Sequence, residues 1–459
     1  MTDPAGPVVS PVYLDQMYPE SVLGPPTAGT QLALSGIGQP SISGPGGCWG
    51  GCHQGSWGGA AGCQPAYRGG GTGCDACPCG MRHRFWGGIE YLRWFAEGMD
   101  LPPLVTTSRD ALPPVDEAGV LGEPETRILF GNRSVLEDWR SGYRLTLGMW
   151  LDCCQHLGLE WDYFHPSNEA HAFARSSNGI NDPILARPFF NINPRDPDTD
   201  EFDPPAREDA QLVGYPDIVS GEVRVGTWTS LVGSGLRMRY NLCCCPHGGC
   251  HSCGSGAYPG GSRLDFLFGY RYLQLVDRVK IREELATDDP IPVGFEIRDR
   301  FRTENTFYGL DLGVLWESQW DCWSWEILGK IALGSTRKKV RVKGNTVRSA
   351  SGVEVSDRGG LLATETNIGR KADNDFAVVP ELGVTVGYDL TRTWRATLGY
   401  SLIYWSQVAR AGDQIDLDVN PDYLPPVQAP IAGAARPRRM LNETDYWIQG
   451  FNLGLDARF

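Results

Sequence analysis

Nowhere in this chain do eighteen apolar residues run consecutively, so no membrane-spanning helix can be drawn in it. Basic residues are in the minority, 41 Lys and Arg against 55 Asp and Glu, and the sequence shows no cluster of them of the kind that phosphate backbones require. The net charge of -14 therefore argues against nucleic acid as a partner. The opening residues, MTDPAGPVVSPVYLDQMYPE, lack the positive start and apolar core of a secretory signal. Read alone, they leave the chain cytoplasmic, or its start trimmed or misassigned. Charged residues make up only 21% of the 459 and aromatic ones 10%, a balance that gives no sign of disorder and suits one large or two ordinary domains.

What is present is alternation. In YWIQGFNLGLDARF, Trp447, Phe451, Leu453, Leu455, Ala457 and Phe459 fall on one parity, and Ile448, Gly450, Asn452, Gly454, Asp456 and Arg458 on the other. A strand places these sets on opposite faces, one apolar and aromatic, the other small, polar and charged. The same pattern recurs in 85–95, 143–152, 157–164, 232–242, 264–272, 308–316, 323–333, 376–388 and 394–404. With the last segment this gives about ten strands, each long enough to cross a bilayer when tilted. Twelve is the alternative if 222–230 forms a strand of its own.

Which face is inside is a physical choice. A soluble sandwich would dissolve its polar face with Lys, Glu and Thr. Here that face is rich in Gly with isolated Arg, Asp and Glu, while aromatics crowd the ends of the apolar face. Lipid outside and a tight polar lumen inside fit that distribution, and only a closed barrel leaves no unpaired edge in hydrocarbon. Link lengths agree. The links after the second, sixth and eighth strands are a few residues each, whereas those after every odd strand are long. The reading is all-β: a transmembrane up-and-down antiparallel barrel with short periplasmic turns and long extracellular loops.

The segments FWGGIEYLRWFAEGMDLPPLVTTS, AGVLGEPETRILFG, RSGYRLTLGMWLD, LGLEWDYF and LDFLFGYRYLQL resemble the beta-barrel porin-7 family of outer-membrane proteins. The resemblance covers roughly residues 84–459, and PPLVTTS, Pro102 to Ser108, is its most specific part. It implies a place and a shape, the bacterial outer membrane and a barrel, and brings no catalytic residues. A last strand ending on Phe459 is also similar to the signature by which assembly machinery recognises outer-membrane barrels. Outer-membrane lipid and that machinery are the partners expected. Residues 1–83, rich in Pro, Gly and Cys, read as a mostly disordered periplasmic extension, and 84–459 as the barrel.

All fourteen cysteines map to the periplasmic end of this arrangement. Cys48, Cys52, Cys63, Cys74, Cys77 and Cys79 lie in the extension. Cys153 and Cys154, then Cys243, Cys244, Cys245, Cys250 and Cys253, then Cys322 lie at the turns after strands two, four and six. In an oxidising compartment disulfides are the first reading. Zinc is the rival, from Cys245, His247, Cys250, His251 and Cys253, or from Cys74, Cys77 and Cys79, but the spacing is irregular. The Cys-x-x-Cys-His needed for haem is missing, and no cofactor is expected.

The lumen candidates on the polar face are Arg144, Glu160, Asp162, Arg237, Arg239, Asp265, Arg271, Asp311, Glu326, Lys330, Glu381, Arg395, Asp456 and Arg458. Their signs nearly balance. Ten strands enclose little more than the eight-strand barrel that side chains fill, so the charges are expected to pair across a narrow or plugged interior. Residues 98–140 could fold inward as the plug. Two roles follow: a structural or surface-interaction protein, or a selective small-solute porin. A rim-site protease or lipid-modifying enzyme is the alternative, with His165 and His171 beside Asp182 as its only candidates, and no nucleophile is paired with them. In NPRDPDTDEFD, Asp196, Asp198, Asp200 and Asp203 have spacing that could converge on calcium, but no Gly follows at the sharp-turn position.

Overall fold

The computed structural model describes residues 83–109, 113–152, 155–180, 183–195, 205–246, 261–288, 292–427 and 431–459, apart from the side chains of 243–246. Ten long antiparallel strands form its wall: β1 (Phe85–Ala96), β2 (Trp139–Trp150), β3 (Leu157–Pro166), β4 (Val219–Pro246) and β5 (Gly261–Thr287), then β6 (Val293–Trp320), β7 (Trp323–Ala350), β8 (Gly369–Asp389), β9 (Trp394–Val408) and β10 (Thr444–Arg458). Each pairs with its neighbours in sequence order. The ring closes where β10 returns to β1, in register from Trp86 opposite Arg458 to Ala96 opposite Ile448. Closure removes the open edge that hydrocarbon would not tolerate.

Alternation sets which side chains meet lipid. Leu236, Met238 and Tyr240 of β4 point outward, as do Phe268 and Tyr270 of β5, with exposures of 42–54%. Their neighbours Arg237, Arg239, Asp265 and Arg271 point inward and are buried. A one-residue slip would invert both faces at once, so this pattern fixes the register strongly.

Residues 222–230 form no strand of their own. They are the upper half of β4, paired with β5 without a break from Val219 opposite Thr287 down to Asn241 opposite Asp265. The twelve-strand alternative is thereby corrected. On its other edge this upper half pairs with Glu169–Ser177, which continues the line of β3 after a break at 167–168. Pro166, at the end of β3, has no N–H to give a ladder.

Strands β4 to β7 have 27 or 28 residues. A crossing needs roughly 9–11, so well over half of each strand stands clear of the hydrocarbon. Much of what reads as loop after the fifth and seventh strands is therefore wall. The true loops fold into its mouth. Val105–Ser108 pairs with Thr126–Phe130 and meets Leu185–Asn191, which pairs in turn with Arg207–Gly214 and with Asp418–Val419. Three connections, those after β1, β3 and β9, thus interlace as one small sheet, the cap.

The PPLVTTS stretch supplies one of its two inner strands. Thr106 Oγ1 donates to the Gly119 carbonyl at 2.6 Å and Thr107 Oγ1 to the Ile184 carbonyl at 2.6 Å. Ser108 Oγ accepts from Gly119 N at 2.9 Å. Three hydroxyls in a row satisfy backbone groups that irregular loops would otherwise bury unpaired.

Candidate functional site

Inward residues stack in three layers. The lowest is charged. Arg237 reaches Glu160 at 3.0 Å, Asp311 at 3.1 Å and Asp162, while Arg239 reaches Glu317 at 2.8 Å, Glu160 at 3.8 Å and Asp265. Across the lumen Glu381 collects Arg271 at 2.5 Å, Lys330 at 2.9 Å and Arg144 at 3.6 Å. Arg144 also meets Glu90 at 3.4 Å, and Arg395 meets Asp389 at 2.6 Å. Glu326, Asp456 and Arg458 line the space that remains, a cavity of about 140 Å³. That is room for a few waters or one small solute.

All fourteen lumen candidates thus lie inside the wall, and ten of them border the cavity. Asp265, Arg271, Asp311 and Arg395 stand behind it in ion pairs. Parity assigns a face and cannot assign partners. Glu381 meets three cations because β2, β5 and β7 bring them to its level from around the ring. Glu317 and Asp389 also join these pairs; each lies one residue beyond an alternating run and keeps its inward parity, the signal by which it could be found.

Directly above lies a layer without charge. Leu92 and Trp94 of β1, Phe164 of β3, Leu273 of β5, Phe307 of β6 and Trp405 of β9 belong to one continuous apolar cluster, each no more than 1% exposed. Nine of the ten strands contribute to it, so it spans the lumen as a septum. Trp94 packs on Phe164 at 5.5 Å and Phe307 on Trp405 at 6.1 Å. Each indole N–H is satisfied, Trp94 by Asn452 Oδ1 at 2.7 Å and Trp405 by Thr336 Oγ1 at 2.9 Å. Arg144 lies beneath with its guanidinium 5.2 Å from the Trp94 ring, so the charged floor meets the septum through a cation–π contact.

The third layer is the cap on its seat. Val223, Val225, Val279, Ile281, Phe301, Val340 and Val342 of the wall form one core with Leu104, Val105, Leu185 and Phe189 of the cap and Leu361 to Ala363 of the β7–β8 connection. One buried cluster locks it. Arg187, from the cap, donates to Asp299 of β6 at 2.9 Å and also to Glu283 of β5, and Asp299 accepts from Leu362 N at 3.2 Å and Ala363 N at 3.0 Å. Burial works against the charge on Arg187, but Glu283 and Asp299 outweigh it and hold its pKa above the ordinary value.

The same inward face is thus charged low on the wall and mainly apolar high on it, where Asp277, Glu283 and Asp299 are buried exceptions. The signal was in the sequence: the parity that carries Asp265 and Arg271 runs on through Leu273, Leu275, Val279 and Ile281.

The rim histidines are held in other ways. His165 Nδ1 hydrogen-bonds the Leu231 carbonyl at 2.9 Å, and His171 stacks on Phe130 at 5.8 Å. Burial, and then Arg133, hold the pKa of His171 below its usual value. Asp182, the Asp196 to Asp203 run and the His247 to Cys253 stretch lie outside the described residues, as do residues 1–82 and Cys153 and Cys154. Cys322 sits buried in the tight turn between β6 and β7.

A closed ten-stranded wall with an apolar outer band, a charged floor and a filled mouth defines a transmembrane β-barrel of the outer-membrane type. The chain belongs to the family described as putative beta barrel porin-7, whose model matches residues 86–459. Among solved structures it is similar to the outer membrane protease OmpT of Escherichia coli at 9% identity and a TM-score of 0.37, covering 82% of this chain and 97% of that one. It is also similar to a FadL homologue of Pseudomonas aeruginosa at 8% identity and a TM-score of 0.21, covering 84% and 93%. Similarity to the toluene transporter TodX of P. putida is at 9% identity and a TM-score of 0.14, covering 82% and 90%. No curated protein matches.

Proposed function

We propose that this is a bacterial outer-membrane protein that keeps its lumen shut and works through its exposed mouth and outer rim, in a structural or surface-interaction role rather than as a solute porin. The septum carries the reading. Side chains from nine strands meet in one apolar cluster between the charged floor and the cap, and an ion crossing it would have to shed its water without a polar partner. The cap above is a second closure, fixed to the wall by the buried Arg187 pairs.

In this reading the short turns face the periplasm and the cap faces outward, with membrane lipid and the barrel assembly machinery as partners. The 1–83 extension is tied to the turn end by disulfides. The placement of Cys322 in the tight turn between β6 and β7 supports this part. Rim catalysis has no such support, because both candidate histidines are engaged with a carbonyl or an aromatic ring.

Osmotic swelling of proteoliposomes tests the proposal. Vesicles holding the refolded full chain should swell no faster in small sugars or amino acids than vesicles holding none, and rapid size-dependent swelling would favour the porin reading.

A further inference from the structure

Above the lipid-facing band, the outward face of four neighbouring strands changes chemistry. The outward parity of β5 that carries Phe266, Phe268 and Tyr270 low on the wall carries Arg278, Lys280 and Arg282 higher up. Register spreads this sideways. Arg278 stands opposite Arg302 of β6, Arg302 opposite Arg341 of β7, and Arg341 opposite Arg370 of β8. The next row runs from Lys280 through Arg300 to Lys343. The expectation that Lys and Arg do not cluster is thus corrected: Arg337, Lys339, Arg341 and Lys343 already crowd in sequence, and the register sets them beside cations of three other strands.

Such an arrangement opposes itself. Side chains directly opposite on one face of an antiparallel pair stand roughly 4.5–5.5 Å apart at Cβ, and like charges there are destabilising. Acids answer only part of it. Glu296 takes Arg282 and Arg298, and Glu304 takes Arg302 and Lys339. Arg300, Arg341, Lys343 and Arg370 form no ion pair with a carboxylate among the described residues. The field is felt locally. Burial, then Arg300 and Arg278, pull Lys280 down to about 8, and Arg341 first among its neighbours lowers Lys343. A chain of net charge -14 therefore maintains a dense positive face on one sector of its rim.

Position says what the face meets. It continues the lipid-facing parity, and its lowest cation, Arg337, shares a row with Thr306, two residues above the outward Tyr308. From there it climbs several rows, so its ligand carries negative charge at more than one height above the hydrocarbon. We propose that the outer face of β5 to β8 binds the phosphorylated headgroups of glycolipids in the surrounding leaflet. The inference rests on the outer-membrane reading and is independent of whether the lumen conducts.

The test uses the purified full chain and an Arg300→Gln, Arg341→Gln, Lys343→Gln, Arg370→Gln variant. Both are first checked for detergent-dependent solubility and heat-modifiable gel mobility; failure of the natural chain there sinks the membrane reading, separately from the binding. Each is then titrated in zwitterionic detergent with a fluorescent diphosphorylated glucosamine-disaccharide lipid, its dephosphorylated form, a soluble anionic polysaccharide and inorganic phosphate. The diphosphorylated lipid should bind the natural chain, and the variant should bind it on the order of five hundredfold more weakly, since each of the four cations lost near an anionic surface is worth about fivefold. Equal affinity in both proteins, or for both lipid forms, overturns the proposal. Competition by inorganic phosphate alone, or binding of the polysaccharide in place of the lipid, overturns it too. Should the glutamine variant not fold, an Arg300→Lys, Arg341→Lys, Arg370→Lys variant is used with a salt titration of the natural chain. Retained binding that weakens with salt is expected, and salt-independent affinity contradicts the proposal.

Discussion

Arg410, in the connection after β9, donates from Nε to Asp277 on the inner wall of β5 at 2.6 Å and from Nη1 to the Gly98 carbonyl at 2.8 Å. One side chain, 2% exposed, thus joins the last long connection, the wall and the start of the first long connection. Removing one member of a buried pair strands the other's charge, at about 3–5 kcal/mol. Arg410→Ala should therefore lower the free energy of unfolding, measured by urea titration followed by heat-modifiable mobility, by that order. Replacing Arg410 with Met and Asp277 with Leu together should recover most of the loss, and if the double variant is no better than the single one, the pair is not the latch.

Glu381 anchors the opposite side of the floor. With Arg271, Lys330 and Arg144 around it, its loss leaves three cations facing one another in a near-dry lumen. Glu381→Ala should cost about 3–5 kcal/mol, measured in the same assay. Glu304→Ala, on the solvated outer face, should cost under about 1 kcal/mol. Similar losses at the two sites would contradict the geometry of the floor.

Asp413 lies at the first turn of a short 3-10 helix in the same connection as Arg410. Burial, with Asp100 and Asp277 nearby, lifts it to about 6 in spite of Arg410. A carboxyl with a folded-state pKa above its unfolded value near 4 binds its proton more tightly when folded. Its contribution to stability is present below about pH 4 and is lost as pH rises through about 6. Asp413→Asn should remove that dependence and stabilise the chain at neutral pH by about 1–2 kcal/mol, less than the full shift because solvent screens this partly exposed carboxyl. Unchanged pH profiles for the two proteins would count against it.

Gly131 has φ +96°, and a Cβ there would stand 2.1 Å from the Pro102 carbonyl oxygen and 2.8 Å from Leu104 N. Gly352, at φ +80° in the turn that follows β7, has no atom within 4 Å of such a Cβ. Gly131→Ala should cost more than about 2 kcal/mol and loosen the PPLVTTS strand, while Gly352→Ala should cost about 1 kcal/mol of backbone strain alone. Limited proteolysis of the cap reads the difference.

The wall was legible in the sequence because alternation is a local property. Tyr240 and Phe268 declare their face within two residues of themselves, and ten such runs closing on one another need no further information. The mouth was hidden for a related reason. Long acidic links rich in Pro, Gly, Asn and Asp look like solvated loops, and only tertiary pairing shows Thr106 against Ala186 or Arg187 against Asp299. The floor falls between these cases: parity puts Arg237 and Glu160 on one face, but their 3.0 Å pairing follows from the register of β3 on β4. The basic rows were missed although Arg337, Lys339, Arg341 and Lys343 lie close together in sequence. They lie beyond the aromatic run that ends at Leu333, where a charged stretch looks like a solvated loop.

The sealed lumen is tested most directly by single-channel recording of the refolded full chain in planar bilayers, beside a Phe307→Gly, Trp405→Gly variant that thins the septum. The natural chain should stay silent across the voltage range while its heat-modifiable mobility confirms that it is folded. Stable steps from the natural chain, proportional to salt concentration, would show a continuous water path through the cap and septum and would contradict the closed barrel described here.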